Sequence, residues 1–254
     1  MFKNRVKRGS RFRADNPHMV RSNELPNIAR VGALVGNPVR ALIIGALMDG
    51  SERPAGELAS LAGATPQAVS AHLASLVDGG LLAVRPRGRH RYYGLRDERI
   101  AAAIETLSLA ADLTNEISAG QNGAKSRRVD PALRQARRCY DHLAGNLGVA
   151  ICDALIAQQR IVAGGEGFAL SVKGRQWLAQ IGLRPPEHLR RSLVRPCLDW
   201  TERRPHVAGW LGAALCESLE RESAFRRASG TRALQVTRKG CAVLREQFGL
   251  DWSA

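Results

Sequence analysis

Residues 65–95 read TPQAVSAHLASLVDGGLLAVRPRGRHRYYGL, and this stretch decides the fold. Thr65 before Pro66 is a helix start: a hydroxyl to cap the first free N–H groups, then a residue whose missing N–H costs nothing there. Val69, Leu73, Leu76 and Val77 recur at the spacing of one buried helix face, and Gly79-Gly80 ends the run. The opposite face carries Gln67, Ala71 and Ala74, with Ser70 and His72 on its flanks. Two short runs, Leu81–Val84 and His90–Leu95, flank Pro86-Arg87-Gly88-Arg89, which predicts a β-hairpin with a basic tip.

Working upstream, Asn37-Pro38 opens another helix, with Val39, Leu42, Ile43, Ala46 and Leu47 on its buried face, and a short helix follows from about Pro54 to Ala62. Downstream, Asp97 caps a long alanine-rich helix bearing Ile100, Ile104 and Leu107. Helix, helix, turn, helix and basic hairpin make a winged helix-turn-helix, whose second helix of the pair enters the DNA major groove. Thr65, Gln67, Ser70, Ala71 and His72 are therefore candidate DNA contacts. Gln67 can bond an adenine edge with both amide atoms, and small Ala71 lets the helix lie deep. His72 fits a DNA contact or a buttress of the helix packing. Arg85, Arg87, Arg89, His90 and Arg91 of the hairpin suit phosphates or the minor groove.

Charge agrees. The 254 residues hold 38 Lys and Arg against 23 Asp and Glu, a net +15, as expected of a chain with a polyanionic partner. The excess sits at the two ends: residues 1–23 carry seven basic residues and one acidic, and residues 120–254 carry 22 and 12. Residues 1–23 lack apolar periodicity and are expected to form a flexible basic tail, with Met19 an alternative first residue. No run reaches ~18 apolar residues, so no membrane span is expected. Five scattered cysteines are no disulfide framework, which points to reduced thiols and the cytoplasm. The nucleophile-elbow, zinc-protease, phosphate-loop and dinucleotide motifs are absent, so no enzyme is expected.

The second half repeats itself. HLAGNLGVAICDAL at 142–155 matches HVAGWLGAALCESL at 206–219, and FALSVKGRQWLAQIGL at 168–183 resembles ALQVTRKGCAVLREQFGL at 233–250. Each copy reads as helix, hairpin, helix, the last opening near Ser171 or Thr237. The expected organisation is mainly α with short β-hairpins: a basic tail at 1–23, a winged helix-turn-helix at 24–119, a linker at 120–130, and a duplicated helix–hairpin–helix domain at 131–254.

The segments GNPVRALIIGALMDG and PAGELASLAGATPQAVSAHLASLVDGGLLAVRPRGRHRYYGL, above all Val-Ser-x-His-Leu at 69–73 and Gly-Arg-His-Arg-Tyr-Tyr at 88–93, resemble the ArsR family of bacterial transcriptional regulators. The resemblance covers about residues 24–119. It implies a homodimer, held by the helices at 24–35 and 97–118, that sits on an operator and represses. Two metal sites of that family find no counterpart: residues 37–50 hold no cysteine, and residues 97–118 no histidine. The region 120–254 is similar to the extension of one ArsR-like subgroup, marked by CYDHLAG and CLDW.

A signal is expected to act through the second half. Cys139 and His142 stand at i and i+3 of what reads as a helix, and with Cys197 they are candidates to bind a soft metal ion or react with an electrophile, Asp199 and Trp200 completing the candidate effector site. A small organic ligand among Tyr140, Trp177, Trp200 and Trp210 is an alternative, and all four also suit a core. His142 and His206 are repeat-equivalent and read as sharing a structural role. Cys152, Cys216 and Cys241 read as buried apolar positions or helix starts. A non-sensing architectural DNA-binding protein, using Arg190-Arg191 and Arg226-Arg227 for extra phosphate contacts, remains a further reading.

Overall fold

Helix α1 (Ile28–Val35) lies across α2 (Pro38–Leu47), and α2 packs with α3 (Ala55–Ala62) and α4 (Pro66–Asp78). This computed structural model describes residues 27–122, 129–165, 167–228 and 230–252. The basic tail expected at 1–23 and positions 123–128 of the expected linker lie outside them. The caps follow the sequence: the Asn37 carboxamide oxygen accepts from Arg40 N–H and the Thr65 hydroxyl from Ala68 N–H. Ile43, Leu47, Leu58, Val69, Leu73 and Leu76 form the fully buried centre.

Strands β1 (Arg53–Pro54), β2 (Leu82–Arg87) and β3 (His90–Leu95) form one antiparallel sheet in the order β1-β3-β2. The hairpin pairs Leu82 with Leu95 and Arg87 with His90, so its root is buried and its tip exposed. The two-residue β1 was not expected; its proline sits on a sheet edge, where a missing donor is tolerated. Helix α5 (Glu98–Asn122) runs past the expected domain end at 119 and into the segment read as linker, because Gly120 and Asn122 alone do not break a well-nucleated helix.

Beyond α6 (Pro131–Gln135) come two units of one order. The first is β4 (Arg137–Cys139), β5 (His142–Ala144), α7 (Gly145–Ala157), β6 (Ile161–Gly164), β7 (Gly167–Leu170) and α8 (Val172–Gln180). The second is β8 (Arg195–Leu198), β9 (Pro205–Ala208), α9 (Gly209–Arg221), β10 (Phe225–Arg227), β11 (Leu234–Val236) and α10 (Arg238–Phe248). Each unit thus carries a hairpin ahead of its first helix, which corrects helix–hairpin–helix to hairpin–helix–hairpin–helix. Cys139 and His142 are cross-strand partners in β4–β5, not neighbours on a helix face. The reason is local: the turn is made by Tyr140, at φ 59, and Asp141, without the glycine or proline that marks a turn in sequence.

The units pack reciprocally. A Cβ on Gly148 of α7 would stand 3.5 Å from the His206 Cβ, and one on Gly212 of α9 would stand 3.1 Å from the His142 Cβ. Such exchange of equivalent contacts is the mark of a two-fold relation. Both positions also need glycine because the strand backbone comes too close: the added Cβ would meet the Leu143 carbonyl oxygen at 2.5 Å and that of Val207 at 2.3 Å.

One buried charge group joins the two domains. Arg137 is 0% exposed; its guanidinium donates to Glu105 of α5 at 2.7 Å and to Thr201 at 3.0 Å, lies 3.0 Å from Asp199, and stacks on Trp200. Arg232 approaches the other oxygen of Glu105 at 3.4 Å, so two guanidiniums face two carboxylates.

Two stability predictions follow from this packing. In urea unfolding, Gly212→Ala is expected to lose at least ~1 kcal/mol through overpacking, whereas Gly56→Ala, with open space around it, should gain ~0.5–1 kcal/mol as a helical glycine replacement normally does. Arg137→Met should cost ~3–5 kcal/mol by stranding buried carboxylates, and adding Glu105→Gln should return part of that loss.

Candidate nucleic-acid interface and a buried cysteine–histidine cluster

Helix α4 presents Gln67, Ala68, Ser70, Ala71 and Ala74 to solvent, while Val69, Leu73 and Leu76 bury the other side. Thr65 and Gln67 are exposed at its N-terminus, where free N–H groups favour a phosphate. The Ser70 hydroxyl donates to the Pro66 carbonyl at 2.8 Å, which leaves its lone pairs outward. His72 is half-buried on the flank.

The wing is more divided than its sequence implies. Arg85, paired with Tyr92, and Arg87, paired with His90, share one face of the hairpin, and both reach Glu52, at 2.9 and 2.5 Å. Arg87 also lies over the Tyr92 ring. Arg91, opposite Pro86, points to the other face, and Arg89 stands at the tip with its Nε donating to His90 at 3.2 Å. The four arginines therefore form a half-neutralised pair, a tip and an outer edge, not one cluster. Glu52 gave no signal in the sequence, since nothing local links it to residues 85 and 87.

One arginine of each basic pair in the second half is engaged within the chain, while Arg190 and Arg226 stand exposed. Arg191 bridges Glu98 of α5 and Asp141, and Arg227 lies 3.2 Å from Glu220 and 4.0 Å from Asp49. The aromatic residues do not converge either: Trp177 packs edge-on against Phe248 in the distal core, and Trp200 covers Arg137.

The cysteines and histidines do converge. Cys139, His142, Cys197 and His206 are all buried, and their Sγ and ring nitrogen atoms lie within 4.8 Å of one another. Each hairpin supplies one pair, Cys139 opposite His142 and Cys197 opposite His206. The two Nε2 atoms are 3.1 Å apart, and each Nδ1 faces a carboxylate, Asp141 at 3.1 Å and Asp199 at 3.3 Å. The sequence reading had three of these four. His206, which the repeat pairs with His142, is the fourth; its clue lies in CYD and CLD, where each cysteine precedes an aspartate by two residues.

The surroundings are tightly wired. Asp199 accepts from the Gly145 N–H at 2.6 Å and from the Thr201 hydroxyl at 2.7 Å. Burial works against its charge, yet His206 and Arg137 hold its carboxyl below the ordinary range. Burial likewise opposes charge on His206, but Asp199 outweighs it and lifts the imidazole to about 9. The hydrogen bond to Cys197 and burial push the Cys139 thiol up to about 12. Cys152 and Cys216 are buried on α7 and α9, as read, and Cys241 lies in the first turns of α10.

The cluster also touches the winged domain. Cys139, Ala144, Cys197 and Ala208 belong to the same apolar core as α2, α3 and α4. The Tyr140 N–H donates to the Met48 carbonyl at 2.5 Å. Tyr140, Gly50, Glu52, Arg85 and Arg87 line one polar cleft of about 310 Å³.

Residues 35–85 match the helix-turn-helix domain family. YdfF of Bacillus subtilis (strain 168), whose name describes an uncharacterized HTH-type transcriptional regulator, is 38% identical over 217 residues, 85% of this chain and 94% of that protein. A match of that length takes in the second half as well as the winged domain. The HTH-type transcriptional regulator CmtR of Mycobacterium bovis is 35% identical over 106 residues, 41% of this chain and 88% of its own. Among solved structures, the cadmium metal-sensor CmtR of Mycobacterium tuberculosis is 39% identical at a TM-score of 0.28, covering 31% of this chain and 81% of its own. With this fold, these exposed helix and wing residues and a relative matched over 85% of its length, the chain belongs to the HTH-type transcriptional regulators.

Proposed function

We propose that the protein is a dimeric repressor that reads its operator through α4 and the wing. The observation that carries this reading is the outward face of α4, polar at Gln67 and Ser70 and small at Ala71 and Ala74, beside an exposed arginine-bearing hairpin. Gln67 discriminates a base step; Thr65 and Ser70 hold phosphates or base edges; Arg89, His90 and Arg91 grip the backbone, with Arg85 and Arg87 joining when DNA competes with Glu52. Ala71 gives the depth of approach, and His72 supports the helix from its flank. The protein works in the cytoplasm, where its DNA is.

Dimerisation is supported by apolar side chains that a lone chain leaves in water: Ile28 at 69% and Val31 on α1, Leu107 and Leu113 on α5. A dimer would match two half-sites about one helical turn apart. The second domain is the sensing part: a signal there changes DNA affinity only if it binds the two arrangements of the dimer unequally.

The tests use a site selected from a random duplex pool and titrated by fluorescence anisotropy. Gln67→Ala is expected to lose ~1–3 kcal/mol of discrimination at one base step. Arg89→Ala and Arg91→Ala should weaken selected and random duplexes alike and each lower the salt slope by ~1. Equal effects of all three on both duplexes would contradict the assignment. In sedimentation equilibrium, Leu107→Glu should shift the protein to monomer with its fold intact; an unchanged dimer would place the interface elsewhere.

A further inference from the structure

We propose that Cys139, His142, Cys197 and His206 bind one thiophilic divalent ion of the zinc class, and that this ion fastens the second domain to the winged domain. The proposal adds to the DNA-binding reading and does not depend on it.

The hydrogen-bond inventory points to a cation. A histidine that donates its Nδ1–H to a carboxylate leaves a lone pair on Nε2. His142 and His206 both have Nδ1 turned to an aspartate, so their two Nε2 atoms, 3.1 Å apart, either share one proton or both give a lone pair to a metal ion. Without metal a proton bridges the pair; a metal ion takes the place of that proton and uses both lone pairs. Two thiol sulfurs complete the set within 4.8 Å. In tetrahedral coordination, metal–nitrogen distances of ~2.0–2.1 Å and metal–sulfur distances of ~2.3 Å put two nitrogens about 3.3 Å and two sulfurs about 3.8 Å apart, a spread these atoms can meet. A Cys139–Cys197 disulfide would satisfy the sulfurs and leave the two imidazoles facing each other.

Charge selects the ion. Two thiolates and two neutral imidazoles around a divalent cation sum to zero, which suits a site without water. The surrounding charges are already matched, Asp141 with Arg191 and Asp199 with Arg137. Mixed sulfur and imidazole donors favour the zinc class over magnesium or calcium. Four protein ligands leave no open position, so the ion holds structure and does not activate water. What it holds is visible: β4–β5 and β8–β9, whose residues Cys139, Ala144, Cys197 and Ala208 pack in the winged core, and the Tyr140-to-Met48 bond at the turn between two ligands.

The experiment takes full-length, tag-free protein purified under reductant. Metal content by plasma mass spectrometry should give one ion per chain. Cobalt(II) loaded in its place should show the intense visible bands of a tetrahedral site and thiolate-to-metal charge transfer. Cys139→Ser should lose both, and Cys241→Ser neither. Because ligand loss can unfold the domain, two gentler variants accompany it. His206→Cys should keep one ion per chain and strengthen the charge-transfer band, and Asp141→Asn, which orients His142, should weaken cobalt binding ~10–100-fold with the spectrum unchanged. On chelation of the wild type, amide hydrogen exchange at Tyr140 should speed up at least tenfold. A wild-type chain without metal that leaves cobalt octahedral, or one that carries a Cys139–Cys197 disulfide when freshly purified, overturns the site. Unchanged exchange at Tyr140 in a chelated chain overturns the fastening.

Discussion

A guanidinium cut off from water depends on its own chain for partners, and Arg137 sets that condition for the molecule through its two terminal nitrogens, while its Nε stays buried without one among the described residues. Its side-chain partners come from two places, Glu105 from α5 of the winged domain and Asp199 with Thr201 from the turn of the second unit, while Arg137 itself opens the first unit. None of these groups can move without leaving a buried charge exposed to a low-dielectric surround, a penalty of several kcal/mol. The helix of the proposed dimer face, the winged domain and the repeated domain are thus held in one register. A network of this kind adds little net stability compared with apolar packing, but removing any one partner leaves an uncompensated buried charge.

The buried cluster sits inside that frame. Asp199 serves both Arg137 and His206, and Asp141 serves both Arg191 and His142. Each carboxylate therefore orients one imidazole of the cluster and one arginine of the domain contact. Arg191 continues to Glu98 at the start of α5. From the turn at Tyr140 the contacts pass to Met48 and Gly50, then to Glu52 and the wing arginines 85 and 87. Packed or hydrogen-bonded neighbours thus reach from the cluster to Gly50, two residues along the chain from the Glu52 that pairs with the wing.

The winged domain was legible because its signals are local. Asn37-Pro38 and Thr65-Pro66 cap helices by chemistry contained in two residues, and a period near 3.6 marks the buried face of α4. The second domain gave its repeat and its late hairpins, with Ser171 and Thr237 capping α8 and α10 as read. It hid the early hairpins, whose strands are three or four residues long and whose first turn forces Tyr140 to a positive φ that no residue type advertises. The same hairpins make the site. Once Cys139 and His142 are read as cross-strand partners, the equivalent pair in the second unit is Cys197 and His206, although six residues more separate them. Arg137 and Glu52 act through partners 32 and 33 or more residues away, and sequence spacing carries no record of such pairings.

The reciprocal packing of the two units has a thermodynamic consequence. Each unit supplies half of the cluster, one sulfur and one imidazole, and neither half can bury its own face alone. Were the halves separate molecules, their union would depend on how much of each was present. Joined in one chain, each meets the other at an effective concentration in the millimolar range or above. Assembly of the pocket is then independent of abundance, and a regulator present in few copies keeps its complete set of donors at any dilution.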